Sequence, residues 1–409
     1  MNLAAAKAMD AADPLRAFRE RFTLPAGVIY LDGNSLGPMP KAARARLLDV
    51  AEREWGAGLI LSWNDADWIG APARVGAKIA RLIGANPGEV IVADSTSVNL
   101  FKLIAAALAE RPGRRAILTE TGNFPTDLYI AGGAAAFSPG AELRAVAPED
   151  VESAIDEDIA VLVLTHVHYK TAARRDMARL TAAAHSRGAL VLWDLSHSVG
   201  AIPLDLNACA ADLAVGCGYK FLNGGPGAPA FLFVAERLQG ELASPLTGWM
   251  GHAAPFDFTD AWRPATGIGR FLTGTPPILG LAALEAGVDL ALEADAGELA
   301  AKSEKLWTVF ARLMDERLGD AGFTPITPVE AGARGSHIAY AHPEGYRVMQ
   351  TLIGRGVVGD FRDPDIMRFG LTPLYLGYED VWRAVDILAG IMASGAWKAA
   401  PARVPGRVT

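Results

Sequence analysis

The stretch Asp212 to Gly227, Asp-Leu-Ala-Val-Gly-Cys-Gly-Tyr-Lys-Phe-Leu-Asn-Gly-Gly-Pro-Gly, constrains this chain more than any other. Leu213, Ala214 and Val215 form the short apolar run of a buried strand, and Gly216 and Gly218 bend the backbone after it. Lys220 follows the bend directly and precedes a turn built from Gly224, Gly225, Pro226 and Gly227. Held close to desolvated backbone, an ammonium loses its charge more readily and becomes an amine nucleophile. Most lysines are solvated surface residues, so this one needs support from elsewhere in the sequence.

That support lies upstream. Ala189 to Trp193 is a continuous apolar strand ending in Asp194, with His197 three residues later. An acid at the carboxyl end of a parallel strand faces the crevice where α/β proteins bind ligands. A lysine for a covalent imine link and an acid for a pyridinium nitrogen is the pairing that pyridoxal 5′-phosphate requires.

Around these two strands the pattern alternates. Strands are expected near 89–93, 116–119, 159–164 and 230–234, with helices through Leu100 to Leu108 and Met177 to Arg187, which predicts a mostly parallel sheet covered on both faces. Asp94, Ser95, Thr96 and Ser97 supply capping side chains at a helix start, and such an N-terminus can hold a phosphate. Simple capping explains them equally well. Phe124, Pro125, Thr126 and Asp127 stand at another strand-to-helix junction, where an aromatic ring can stack on a flat cofactor. His166 and His168 have no evident third metal ligand and are read as pocket residues, so no metal is expected.

The flanks read differently. Asp13 and Pro14 predict a helix to about Phe22, and a strand near Val28 to Leu31 leads into Asp32-Gly33-Asn34-Ser35-Leu36-Gly37-Pro38, a loop of fixed shape; another helix is expected from about Lys41 to Trp55. Trp63 and Trp68 among polar residues could line an aromatic pocket, although tryptophans more often pack. After Pro276 and Pro277 a long helix runs to about Glu293, a second spans about 298–318, and a small α+β region ends in a helix to about Met392. Arg368 sits inside an apolar strand there and requires a carboxylate, either from the fold or from a substrate. The tail after Ala399 reads as loose. The expected division is residues 1–47 as an arm joining the small domain, 48–275 as the large domain, and 276–409 as the linking helix and small domain.

A net charge of -8 without a basic stripe argues against nucleic acid. No apolar run is long enough to span a bilayer, and Lys7 and Asp10 interrupt any leader-like core. Two cysteines, Cys209 and Cys217, fit a reducing cytoplasm better than a disulfide scaffold.

Several pieces, found together and in order, resemble the kynureninases. They are Gly33 to Gly37, Asn123 to Asp127, Trp193 to Gly200, Tyr219 to Asn223, Gly-Trp-Met-Gly-His at 248–252, Thr-Pro-Pro-Ile at 275–278, and Arg368 to Tyr375. Similar bacterial sequences usually read Val-Asn-Tyr-Arg-Thr-Gly where this one has His168, Lys170 and Ala172. The resemblance implies a fold-type I pyridoxal phosphate enzyme: an α/β large domain with a mixed sheet between helices, plus a smaller α+β domain. It implies that Lys220 links the cofactor, Asp194 keeps its ring nitrogen protonated, His197 lines the pocket and Phe124 stacks, with Pro125, Thr126, Asp127 and Thr165 completing the ring contacts. Ser95, Thr96, Tyr219, Trp249 and Thr275 would hold the phosphate, the last two reaching from the partner subunit of a homodimer. Arg368 would bind the substrate α-carboxylate, Ser35, either Trp63 or Trp68, and His252 would face its aromatic end, and Tyr219 would move a proton during cleavage. The implied reaction is hydrolysis of L-kynurenine, or its 3-hydroxy form, to the corresponding anthranilate and L-alanine, in tryptophan catabolism and NAD biosynthesis. Two alternatives stand beside it: a cysteine desulfurase or selenocysteine lyase, whose mobile nucleophilic cysteine neither Cys209 nor Cys217 matches, and a catalytically silent binding protein of the same fold.

Overall fold

In a computed structural model, residues 1–403 are described, and the part of the loose tail from 404 onward lies outside them. Two compact units form. One comprises Ala42–His168 and Arg175–Leu292; the other comprises Met1–Lys41, Tyr169–Arg174 and the described residues from Glu293 onward. The helix Ile278–Glu293, joined to the C-terminal part in the sequence reading, belongs almost wholly to the first unit, and residues 42–47 fall there too. Its buried face, including Leu281, Leu284 and Val288, packs into the large apolar core.

The larger unit is built on a seven-stranded sheet in the order Val90–Val92, Phe231–Val234, Leu213–Gly216, Leu190–Asp194, Ile159–Thr165, Ala116–Glu120, Glu142–Val146. Only Phe231–Val234 runs antiparallel to its neighbours. The central strands are buried residue for residue, which is why they read as continuous apolar runs instead of alternating ones. Thr165 and Asp194 are register partners, so two polar side chains meet at the carboxyl ends of adjacent parallel strands. Helix Thr96–Glu110 follows the first strand, with Ser95 as N-cap accepting from the Val98 amide at 3.4 Å. Helix Pro125–Phe137 has its proline at the first position, where a missing amide costs nothing.

The smaller unit carries a four-stranded antiparallel sheet, in the order Thr324–Pro325, His337–Ala341, Ile366–Gly370, Asp360–Arg362. Asp360 and Arg368 face each other across two of these strands. Strand Ile29–Tyr30 pairs in parallel with Val357–Val358. Two expectations need correction. The helix expected over 13–22 is a short 3₁₀ turn, Arg16–Arg21, because the Asp13 carboxylate caps the Leu15 amide at 3.0 Å and pairs with buried Lys302 at 2.6 Å. The helix expected from Lys41 to Trp55 is α-helical only over Lys41–Asp49 and continues as a π-helix over Val50–Gly58.

Candidate active site

In the larger unit, the tip of the sheet collects most of the residues singled out from the sequence. Lys220 Nζ stands 2.9 Å from His197 Nε2 and 5.9 Å from the centroids of both the Phe124 and Tyr219 rings. Asp194, closing its strand, is buried, and its Oδ1 accepts the Ser196 amide at 2.6 Å. Asp127 enters from the first turn of helix Pro125–Phe137, equally buried. Thr165 Oγ1 lies 3.2 Å from Asp127 Oδ2 and 2.5 Å from Asn123 Oδ1, which also accepts the Phe124 amide at 2.7 Å. Asn123 therefore fixes both the Phe124 backbone and the Thr165 hydroxyl. Its motif was visible in the sequence, but its part as the junction's anchor was not.

The electrostatics of this cluster are those of a site prepared for a cation. Burial, and then the charge of Asp194, push the Asp127 carboxyl well above the usual range. Burial raises Asp194 too, against the Ser196 contacts and the charge of Lys220. Two adjacent acids buried this deeply favour a proton, or a protonated nitrogen, between them and the protein. Burial followed by the nearby Cys217 pushes the Tyr219 phenol up, so it stays protonated as a donor.

Pyridoxal 5′-phosphate, implied by the sequence motifs, fits these residues. Asp127 Oδ1 is buried without a hydrogen-bond donor, the acids can hold a protonated ring nitrogen, Lys220 can take the link, and exposed Ser95 caps a 15-residue helix whose N-terminus suits a phosphate. Two features fasten that N-terminus from below. Asn99 Nδ2 donates to Ala93 O at 2.8 Å, and fully buried Lys102 pairs with Asp94 and donates to Phe271 O at 2.6 Å.

Other candidates are placed elsewhere in this unit. Trp249 is 38% exposed and stacks edge-on with Phe256 at 5.8 Å, and Thr275 is exposed. Trp63 and Trp68 meet edge to face with centroids 6.0 Å apart, and the Trp68 indole donates to buried Glu54 at 2.7 Å. His252 turns into its own loop. One ring nitrogen accepts the Ala254 amide at 2.9 Å and the other lies 3.3 Å from Ala261 O.

The smaller unit holds Arg368 and Ser35. Arg368 is buried and finds a carboxylate from the fold: Nε donates to Asp360 Oδ1 at 2.7 Å and Nη2 pairs with Oδ2 of the same residue. Nη2 also donates to Ser35 Oγ at 3.1 Å, Nη1 donates to the Tyr169 carbonyl, and Ser35 Oγ donates to Asp360 Oδ2 at 2.8 Å. Asp360 was missed in the sequence because one acid in a short strand gives no signal until the register puts it opposite an arginine. The Lys170 ammonium donates to Asp363 O at 3.0 Å, and Ala172 takes φ 59 in the left-handed region, where a glycine would sit without strain.

The cysteine-based alternative finds no support. Cys217 is buried and burial raises its thiol, while Cys209 is half-buried and raised for the same reason.

Residues 299–388 match the family model described as Kynureninase C-terminal domain. Among solved structures, the fold resembles an apo cysteine desulfurase from Thermococcus onnurineus NA1, with TM-score 0.78 at 18% identity over 92% of this chain and 98% of that one. It also resembles a variant of C-DES with glycine covalently linked to its PLP cofactor, with TM-score 0.74 at 18% identity over 91% of this chain and 98% of that one. These likenesses concern the fold. A kynureninase from Pseudomonas fluorescens is 50% identical over 408 residues, covering 98% of each chain. With the Lys220, Asp194 and Asp127 arrangement at the sheet tip, that identity decides the assignment: the chain belongs to the kynureninase family.

Proposed function

We propose that the protein uses pyridoxal 5′-phosphate to hydrolyse L-kynurenine at its Cβ–Cγ bond, giving anthranilate and L-alanine, and that it turns over 3-hydroxykynurenine by the same residues. The observation that carries this reading is Lys220 beside His197 in the same cluster as the buried acids Asp127 and Asp194.

When bound, the cofactor supplies an electron sink for negative charge developing at the substrate Cα. Lys220 Nζ would tether it and would carry the Cα proton, with His197 at 2.9 Å to hold the amine in place. Asp194, seconded by Asp127, would hold a proton on the ring nitrogen, and Phe124 would form one wall of the pocket. A water oxygen bonds to the γ-carbonyl carbon as the C=O π pair moves onto oxygen; when that pair returns, the Cβ–Cγ bond breaks with its electron pair on Cβ, and the proton released by the water replaces the one that Tyr219 gives up. Tyr219, kept protonated by its burial, donates the proton that Cβ takes up. Arg368 is the candidate for the α-carboxylate, and the Trp63–Trp68 pair for the aromatic end.

The reading extends to a cytoplasmic homodimer in tryptophan breakdown and NAD synthesis. Exposed Trp55, Leu59, Ile60 and Leu61 support the assembly, since apolar side chains this open favour cover by another protein surface. Anthranilate fluorescence tests the reaction. Wild-type protein loaded with cofactor should release anthranilate from kynurenine, while Lys220→Ala folds normally and shows no turnover. Absence of product with the wild type, or full activity in the variant, overturns the proposal.

A further inference from the structure

Lys102 is a charge that packing does not explain. Its side chain is fully buried in the helix Thr96–Glu110, at a position where a methionine or leucine would fill the same space without desolvating an ammonium. Burial pushes this ammonium down, and the contact with Asp94 resists the shift. Asp94 itself is unusual. It takes φ 46, in the region few side-chain-bearing residues occupy, and its carboxylate is partly exposed, one residue ahead of the N-cap Ser95. A bare carboxylate there would compete for the positive end of the helix and repel a phosphate.

We infer that Lys102 is a positioning residue that makes the Asp94–Thr96 junction receptive to the cofactor's phosphate by neutralising the Asp94 carboxylate. This rests on the reading of the site as a pyridoxal phosphate site. The second contact of Lys102 supports the assignment. Its donation to Phe271 O reaches the start of the segment that carries Thr275, and Thr273 O in that segment accepts the Met250 amide at 3.2 Å, next to Trp249. One buried ammonium thus ties the Ser95–Thr96 cap to the segment that carries Thr275 and contacts the Trp249 turn, two of the stretches of this unit that hold phosphate candidates.

The test compares two ligands that differ only in the phosphate. Absorbance titration of apoprotein with pyridoxal 5′-phosphate and with pyridoxal gives an affinity ratio that reports the phosphate contribution without any turnover. In Lys102→Met the ratio should fall by about ten- to a hundred-fold, while pyridoxal itself binds within about twofold of wild type. Adding Asp94→Asn to that variant should restore the ratio to within about threefold, since the uncompensated charge is gone. Asp94→Asn alone, in which Lys102 keeps its donation to Phe271 O, should leave the ratio at or above that of wild type. An unchanged ratio in Lys102→Met, failure of the double variant to recover, or a fall in Asp94→Asn would each overturn the inference. A wild type that binds pyridoxal 5′-phosphate no better than pyridoxal would instead overturn the site reading on which it rests.

Discussion

Arg368 commits most of its guanidinium to the protein: one N–H from Nε, one from Nη1 and two from Nη2 are taken by Asp360, Tyr169 and Ser35, leaving one of five. A two-point grip on a substrate carboxylate therefore requires a partner such as the Ser35 hydroxyl to move aside. The Arg368→Lys variant keeps the charge but loses the fork that spans Asp360, so its Tm should drop by several degrees, and kcat/KM for kynurenine should fall by roughly ten- to a thousand-fold. Melting curves beside steady-state kinetics decide the matter: a lowered Tm with unchanged kcat/KM would make Arg368 a scaffold residue only. A neighbouring acid gives a pH signature. Burial, and then Asp360, raise Asp32 from 3.8 to about 7. The unfolded chain ionises this group from about pH 4 upward while the folded chain stays protonated until about pH 7. Stability is thus lost across that window as pH rises and is level above it. Asp32→Asn removes the penalty, so its stability gain over wild type should be larger at pH 8 than at pH 5 by about 1–3 kcal/mol. Urea melts at the two values check this, and an equal gain at both would show that Asp32 is already ionised in the fold at pH 5. At this scale the sequence was informative where chemistry is local, as in Lys220 with its glycines or Asp194 ending an apolar run. It was silent on Asp360, Asn123 and Lys102, whose roles exist only once register and packing bring distant residues together.

Among elements, the helix Ile278–Glu293 sets the position of the Lys220 turn by direct backbone contact. A Cβ placed on Gly287 would collide with the Leu222 carbonyl, and one on Gly218 or Gly224 would press on Leu284 of the same helix at 3.1 Å and 3.0 Å. The glycines around Lys220 are thus as much a packing requirement as a turn signal. Gly287→Ala should force the helix and the turn apart, costing about 1–3 kcal/mol and lowering cofactor occupancy even though residue 287 touches no proposed ligand. Thermal melts and the absorbance of bound cofactor test it; an alanine variant with native Tm and full occupancy would mean the turn is held by other contacts. The buried strands were legible because both faces are covered, leaving uninterrupted apolar runs. Edge strand Glu142–Val146, half-exposed and carrying Glu142 and Arg144, offered no such run. Helix Leu3–Ala11 went unread because its cap is Asn2, accepting from the Ala5 amide at 2.9 Å, ahead of an alanine-rich stretch with little apolar periodicity. The π-helical turn Val50–Gly58 could not be foreseen either. It is tied by contacts distant in sequence, the Ser62 hydroxyl donating to Glu54 O at 2.6 Å and the Trp68 indole to the Glu54 carboxylate.

For the whole molecule, the surface at the end of that π-helix and just beyond it carries the argument for assembly. Trp55, Leu59, Ile60 and Leu61 are 59%, 62%, 74% and 64% exposed, four large apolar side chains within seven residues of a chain whose interior is otherwise well closed. Phe256 and Phe258, 59% and 78% exposed, extend a second apolar row from Trp249 through edge-to-face contacts at 5.8 Å and 6.3 Å. Fully burying one such side chain contributes about 1.5–3 kcal/mol, so covering several of them outweighs much of the entropic cost of association. A homodimer in which Trp249 and Thr275 serve the partner's cofactor would place these rows against protein instead of water. An aspartate at position 60 would bring an unpaired charge into that interface at a cost of several kcal/mol, while on an isolated chain the same side chain would stay solvated and nearly neutral. With the proposed dimer, Ile60→Asp should therefore sediment as a monomer at micromolar concentration while the wild type sediments at twice that mass. Its Tm should become independent of protein concentration, and its affinity for pyridoxal 5′-phosphate should fall about tenfold or more because the partner's phosphate contacts leave with the partner. A variant that remains dimeric would move the interface away from this surface, and a monomer that binds cofactor as tightly as the wild-type dimer would return Trp249 and Thr275 to roles within their own chain.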